Sequence, residues 1–265
     1  MPPYHWNARD YETHSRGQQK WARELIAKLT LDGTEQVLDV GCGDGRVTAE
    51  MAGLLPQGRV VGVDNSGTMI SRATEKHPSA TYPNLSFRQM DARSLSFNEA
   101  FDVVFSNAAL HWVKHHTPVV NGIFKSLKYG GKILLQMGGK GNASDVLSIL
   151  NDMLSDPEWK SYFDRFEFPY GFLGPEEYAP LLRKAGFDIK RVELIPKDME
   201  LIGQSGLEGW IRTTWLPYTN RVPEVKRNEF IRTISAKYIE NMPMDSDGIV
   251  HVSMVRLEVE ARKNA

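Results

Sequence analysis

Apolar positions along the chain repeat with two spacings, and they predict strands alternating with helices. Val37, Leu38 and Val40 form a short run rich in β-branched residues, as in a strand covered on both faces. Gly41, Gly43 and Gly45 follow at once, and residues 46–52 then have helical character. Residues 59–64 read as a second apolar strand ending in Asp64. Asn65-Ser66 is a helix N-cap, ahead of a helix over 66–77 whose apolar face is Met69, Ile70 and Ala73. Residues 85–92 alternate as a third strand ending in Asp91-Ala92, and residues 101–107 form a fourth that runs into Asn107. An amphipathic helix over 119–127, a turn at Tyr129-Gly130-Gly131 and a fifth strand over 132–137 complete the series. The pattern specifies a doubly wound parallel sheet of the α/β class, Rossmann-like, with its ligand at the carboxyl ends of the strands.

The flanks read differently. Residues 18–29 carry Trp21, Leu25, Ile26 and Leu29 at helical spacing, so this helix packs on the sheet. Residues 142–172 read as helices rich in large aromatics: Trp159, Tyr162, Phe163, Phe166, Phe168, Tyr170 and Phe172. A helix over 175–185 is ended by Gly186, and residues 187–194 form a sixth strand. Helices over 206–216 and 223–240 precede a final alternating strand over 248–259, expected to be antiparallel. The expectation is a seven-stranded sheet with a helical lid, in three segments: 1–35 as an N-terminal helical segment, which only the family resemblance given below places over the ligand site, 36–140 as the ligand-binding core, and 141–265 as lid plus the last two strands.

The glycine turn carries the chemistry. Glycines at a strand-to-helix turn allow sharp backbone angles and let a ligand lie against the main chain. The spacing is G-x-G-x-G, so neither a Walker loop nor the G-x-G-x-x-G dinucleotide fingerprint is present. Asp39 precedes the turn and Asp44 lies within it, two carboxylates that repel a pyrophosphate and suit a cation. S-adenosylmethionine carries an ammonium and a sulfonium. Asp64, at a strand end about 20 residues beyond the turn, is placed to accept both ribose hydroxyls, and Asp91 suits an adenine amino group.

In order, D-V-G-C-G-D-G, V-V-G-V-D, M-D-A and F-D-V-V-F-S-N resemble the successive motifs of the class I S-adenosylmethionine-dependent methyltransferases. The core resemblance covers roughly residues 37–137. More narrowly, the chain is similar to the trans-aconitate and juvenile-hormone-acid methyltransferases. That likeness is carried by Trp6-Asn7 with Tyr11, by N-A-A-L-H-W-V from Asn107, and by G-W-I-R-T-T-W-L from Gly209. The resemblance implies a cofactor site of Tyr11, Asp39, Gly41, Cys42, Gly43, Gly45, Asp64, Asn65, Met69, Asp91, Ala92 and Asn107, with S-adenosylhomocysteine as product. It implies that the N-terminal segment folds over the cofactor, that Met69 lies under the adenine, that Gln18 matches a glutamine holding the acceptor carboxyl, and that Trp112 faces the acceptor and donates to it.

Mechanism follows from the cofactor, because in-line methyl transfer asks the protein mainly to align the nucleophile and exclude water. A carboxylate acceptor is already ionised at neutral pH and needs no base, whereas an amine or phenol usually does. His111 is the base candidate by position and His14 a weaker one, while Arg212, between Trp210 and Trp215, suits a carboxylate. The reading is O-methylation of a small carboxylic acid, with Gln18, Trp112 and Arg212 as orienting donors. N- or C-methylation of another metabolite, or cofactor binding without catalysis, are the alternatives.

Composition narrows this further. Net charge is −1, and with no basic patch or appended RNA-binding domain, nucleic acid is not an expected partner. The single cysteine, Cys42, excludes a disulfide framework and reads as a small packed side chain. No apolar run approaches a membrane span and no signal peptide opens the chain, so the expectation is a cytoplasmic monomer or homodimer. His111, His115 and His116 lack a Cys or acid at ligand spacing, so no metal is expected, and His115 and His116 read as solvated or capping.

Overall fold

Seven strands join in one sheet, in the order β3-β2-β1-β4-β5-β7-β6. In this computed structural model residues 16–264 are described, with side chains from Lys20 onward. Trp6, Asn7, Tyr11 and His14 lie outside the described residues, as does the side chain of Gln18. The elements are α1 (Arg16–Ile26), β1 (Gln36–Val40), α2 (Arg46–Gly53), β2 (Arg59–Asp64), α3 (Gly67–Lys76), β3 (Leu85–Gln89), β4 (Phe101–Asn107), α4 (Thr117–Ser126), β5 (Leu127–Gly138) and α5 (Ser144–Ser155). There follow α6 (Pro175–Ala185), β6 (Phe187–Ile202), α7 (Gly203–Thr214), α8 (Leu216–Thr219), α9 (Glu224–Asn241) and β7 (Ile249–Lys263). β1 pairs in parallel with β2 and β4, β2 with β3, and β4 with β5, whereas β7 runs antiparallel to β5. The strand order reverses beside β1, which is the switch point.

The chain divides into two compact units. Among the described residues, the larger comprises Gln18–Lys140, Tyr170–Ile195 and the chain from Arg256 onward, and the smaller Gly141–Pro169 and Pro196–Val255. In the larger unit both sheet faces are buried, which explains the unbroken apolar runs. Leu38, Val61 and Val104 pack with α4 and α6 on one face. Val37, Val60 and Val103, one residue away in each strand, pack with α1 and α2 on the other. The helix expected over 18–29 therefore does pack on the sheet, although it ends at Ile26, and from Gln18 onward it belongs to the larger unit. The smaller unit is held by aromatics: Phe230 lies 5.1 Å from Trp159 and 5.6 Å from Phe163, and Tyr218 lies 4.6 Å from Phe166. No helix among the described residues is long and apolar enough to cross a membrane.

Several boundaries differ from the expectation. The third strand stops at Gln89, because Asp91 accepts the Arg93 amide at 2.8 Å and caps a short 3₁₀ turn over Ala92–Ser94. The Tyr129-Gly130-Gly131 turn is an irregularity within β5, where pairing with β4 shifts register. The sixth strand continues to Ile202. The aromatic stretch over 142–172 is helical only in α5 and in a 3₁₀ turn at Lys160–Phe163, and Tyr170 and Phe172 join the larger unit, stacked 5.1 Å apart. His116 occupies the position before α4 without capping it. It is 2% exposed, edge-on to Tyr178, and burial pushes its pKa down to about 4.

Candidate active site

β1 ends where its backbone turns sharply across β2. The amides of Gly41 and Cys42 both donate to the carbonyl of Val63, at 2.7 and 3.0 Å. This turn needs left-handed backbone at Gly41 (φ +83°) and Gly43 (φ +55°). The two glycines serve different ends. A Cβ on Gly41 would stand 2.1 Å from the Cβ of Ala109, so the loop after β4 seats directly on the turn. A Cβ on Gly43 would meet nothing within 4 Å, so the turn is open there and a ligand can lie on its backbone. Cys42 is buried, its sulfur packed where Gly62 leaves room, and burial raises its thiol pKa.

The acids around this turn are in different states. Asp64 ends β2, with its Oδ1 accepting the Ser66 amide at 2.8 Å and its Oδ2 the Gly43 amide at 3.0 Å. Each oxygen keeps acceptor capacity beyond the backbone donor that fixes it. Asp39 is buried beneath the turn and accepts from Thr48 Oγ1 at 2.7 Å. Burial is the main cause that lifts its pKa to about 7, with a smaller contribution from Asp64. Asp44 differs from the sequence expectation of a carboxylate facing a cationic ligand. Arg46 at 2.9 Å and Lys76 at 3.1 Å already neutralise it. Sequence reasoning missed Thr48, whose hydroxyl one helical turn into α2 is the signal, and Lys76, whose pairing is non-local.

A measurable consequence follows for Asp39. An ordinary aspartate titrates near pH ~3.9, so between there and the folded-state value of about 7 the folded protein holds a proton that the unfolded chain has lost. That contribution to stability is present below about pH 4 and disappears as pH rises through about 7. Asp39→Asn is expected to abolish this loss. Calorimetric melting from about pH 4 to pH 8 should show the variant gaining on the wild type as pH rises, and a constant difference would contradict the assignment.

The other residues singled out in the sequence fall as follows. Met69 is buried on α3, while the exposed Asn65 offers its carbonyl to Gln89 Nε2 at 3.0 Å. Asp91 is paired with Arg93, which holds its carboxyl below the ordinary range, and the partly buried Ala92 opens the 3₁₀ turn. Asn107 ends β4 opposite Gln136 of β5. A second 3₁₀ turn, Leu110–Trp112, then carries His111 and Trp112. The buried His111 ring accepts the Gly138 amide through Nδ1 at 3.3 Å. Burial, with Arg256 and then His116 nearby, holds its pKa well below the ordinary histidine value. Trp112 is partly exposed, its ring 5.0 Å from Tyr170. Arg212 lies on α7 in the smaller unit, flanked by the buried Trp210 and Trp215. Gln18 is on α1 in the larger unit.

Asp64, Asn107 and the glycine turn thus meet at the carboxyl ends of β2, β4 and β1, where the strand order reverses. An open backbone cradle beside a fixed carboxylate fits a nucleoside ligand such as S-adenosylmethionine. The comparisons agree. The methyltransferase domain family matches residues 31–186. An uncharacterised methyltransferase of Schizosaccharomyces pombe is 31% identical over 99% of this chain and all of its own length. The trans-aconitate 2-methyltransferase of Deinococcus radiodurans is 31% identical over 90% of this chain and 92% of its own. The Haemonchus contortus phosphoethanolamine N-methyltransferase 2, solved with S-adenosyl-L-methionine, shares the fold at a TM-score of 0.62 and 19% identity, over 97% of this chain and 57% of that one. With the glycine turn, strand-end acids and switch point in place, the chain belongs to the methyltransferase domain family and is an S-adenosylmethionine-dependent methyltransferase.

Proposed function

We propose that this enzyme methylates a carboxylate oxygen of a small organic acid. The observation that carries the proposal is the state of His111. Its Nδ1 is occupied by the Gly138 amide, and its pKa lies well below the ordinary value. The ring therefore stays neutral with its proton on Nε2, where it donates. The imidazole nearest the end of β4 is thus a poor general base. An acceptor ionised at neutral pH needs none. The name of the Deinococcus radiodurans relative, a trans-aconitate 2-methyltransferase, supports the same class of acceptor.

In this reading bound S-adenosylmethionine supplies the electrophilic methyl group. Asp64 holds the ribose hydroxyls, the backbone at Gly43 lies against the amino-acid tail, Met69 packs beneath the adenine, and Asp91, Ala92, Asn65 and Asn107 complete the pocket. Asp39 acts from beneath, fixing the turn through Thr48. Trp112 and His111 donate hydrogen bonds that orient the acceptor. Gln18 and Arg212 are proposed donors for its carboxyl groups, and Tyr11 a cofactor contact, from the resemblance and from Arg212's aromatic setting. The finer expectations of a cytoplasmic enzyme acting as a monomer or homodimer, without nucleic-acid or membrane partners, belong to the same proposal.

The test is a panel of mono-, di- and tricarboxylic acids, amines and phenols with S-adenosylmethionine, read by mass of the methylated product. Acids are expected to turn over, and the one titration expected in the rate between about pH 6 and pH 9 is that of Asp39 near pH 7, which Asp39→Asn removes, because no base acts on the acceptor. Turnover of amines or phenols alone, with a rising limb near neutral pH, would overturn the proposal.

A further inference from the structure

Beyond the cofactor residues, one stretch of the larger unit is built closely into the turn that carries His111 and Trp112: Tyr170-Gly171-Phe172. The Gly171 amide donates to the His111 carbonyl at 2.8 Å. A Cβ on Gly171 would stand 2.4 Å from the Val113 carbonyl oxygen and 3.1 Å from His116 Nε2, so the two stretches press together with no room for a side chain. The flanking rings close on the same turn. Tyr170 and Phe172 are stacked, 5.1 Å apart and 4° from parallel. Their centres lie 6.2 and 5.9 Å from the His111 ring, and Tyr170 lies 5.0 Å from Trp112.

The chain after β5 holds the same turn from another side. The Gly138 amide occupies His111 Nδ1, and the Lys140 amide donates to the Leu173 carbonyl at 3.1 Å. His111 is thus gripped at its ring by Gly138 and at its carbonyl by Gly171, with two stacked rings beside it. The chain leading into the turn does not rest in an easy conformation. Ala108 has a φ of +55°, costly for a residue with a Cβ, and its amide donates to the Gln136 carbonyl at 2.8 Å. Backbone held this way persists only where surrounding contacts over-determine it.

We infer that Tyr170, Gly171 and Phe172 are positioning residues, a clip that fixes the directions of the His111 and Trp112 N–H groups and so sets affinity for the acceptor without acting on the cofactor. A donor helps methyl transfer only where its direction is held before the acceptor arrives, and a misplacement of about 1 Å costs on the order of 100-fold. The clip meets the turn at His111 and beyond, whereas the contact with the glycine turn is made by Ala109, so the two can be perturbed separately. This rests on the proposed roles of the two donors toward the acceptor and adds what holds them.

The test uses the full chain with Phe172→Leu, Phe172→Tyr and Gly171→Ala. Cofactor affinity is read by calorimetry with S-adenosylhomocysteine, and the His111 ring by nitrogen NMR of labelled histidine in that complex. The acceptor probe is trans-aconitate or, where it is not turned over, the panel member that is. Wild type should show one neutral His111 ring with its proton on Nε2. Phe172 is partly exposed, so Phe172→Leu removes the stack without emptying the core. It is expected to shift or broaden the His111 signal and raise KM for the acceptor about 10-fold, with S-adenosylhomocysteine affinity within about 2-fold. Phe172→Tyr keeps the ring and should match wild type. Gly171→Ala should exceed Phe172→Leu in the same sense, and if it fails to fold, the Phe172 pair carries the test. An unmoved His111 signal in Phe172→Leu would overturn the inference whatever the acceptor. A shifted signal with unmoved KM would overturn it too, as would cofactor affinity falling in step with acceptor affinity, which marks a role in the fold alone. The expected pattern seen with an amine or phenol in place of an acid would keep the clip and sink the proposed carboxylate chemistry.

Discussion

Replacing Asp64 by alanine is expected to weaken S-adenosylmethionine and S-adenosylhomocysteine by about 100-fold or more. The carboxylate is fixed by the amides of Ser66 and Gly43, one to each oxygen. It thereby presents two remaining acceptor sites to a pair of hydroxyls. Each hydrogen bond to a charged group is worth about 1.5–3 kcal/mol, so loss of two exceeds about 3 kcal/mol, which is at least two powers of ten. The same change unties the glycine turn from β2. Asp64→Asn is the informative companion, since it keeps the shape but supplies one acceptor oxygen, and an intermediate loss is expected. Titration calorimetry measures both, and a loss below about 3-fold for alanine would remove Asp64 from the ribose site.

The second large effect is on the fold. Gly41→Ala places a methyl group 2.1 Å from the Ala109 side chain at a backbone φ of +83°. Left-handed backbone costs a non-glycine residue about 1–2 kcal/mol, and overpacking adds about 1–3 kcal/mol. Against a total of about 5–15 kcal/mol, melting should fall by about 5–15 °C. Gly43→Ala makes the contrast. Its φ of +55° is strained in the same sense but its methyl group meets no atom within 4 Å. The variant should melt within a few degrees of wild type, about 1–2 kcal/mol less stable, yet bind cofactor poorly because the methyl group enters the open face of the turn. Equal melting for the two alanine variants would show that Ala109 yields easily and that the turn is not clamped there.

How legible these features are in the sequence depends on how local their causes are. β1, β2 and β4 are continuous apolar runs because both of their faces are covered, so their positions follow from residue type alone. Asp64 is legible for the same reason, since a carboxylate directly after Val-Val-Gly-Val must sit at the end of its strand. Asp44 is not. Its neutralisation by Lys76 depends on α3 lying beside the turn, 32 residues away. His116 is read as solvated or capping because it opens a helix, and only the packing of Tyr178 against it shows the burial. The aromatic stretch from Trp159 to Phe172 carries no helical period to mark where α5 ends, so its loop, and the assignment of Tyr170 and Phe172 to the larger unit, come only with tertiary structure. Arg256 was within reach. In an alternating strand it stands in phase with Val250, Val252 and Met254, and an arginine in an apolar phase marks a buried guanidinium.

β7 lies between β5 and β6, although it follows both of them in the chain. During synthesis, β5 therefore waits with an open edge until residues 256–262 emerge to pair with 132–138. A nascent chain stopped short of this strand leaves two unpaired strand margins facing each other across a gap one strand wide, a template for intermolecular pairing. Chain termination before Arg256 should consequently yield aggregate rather than a smaller soluble enzyme, and expression should depend on chaperones that hold the growing chain until residues 256–262 have emerged.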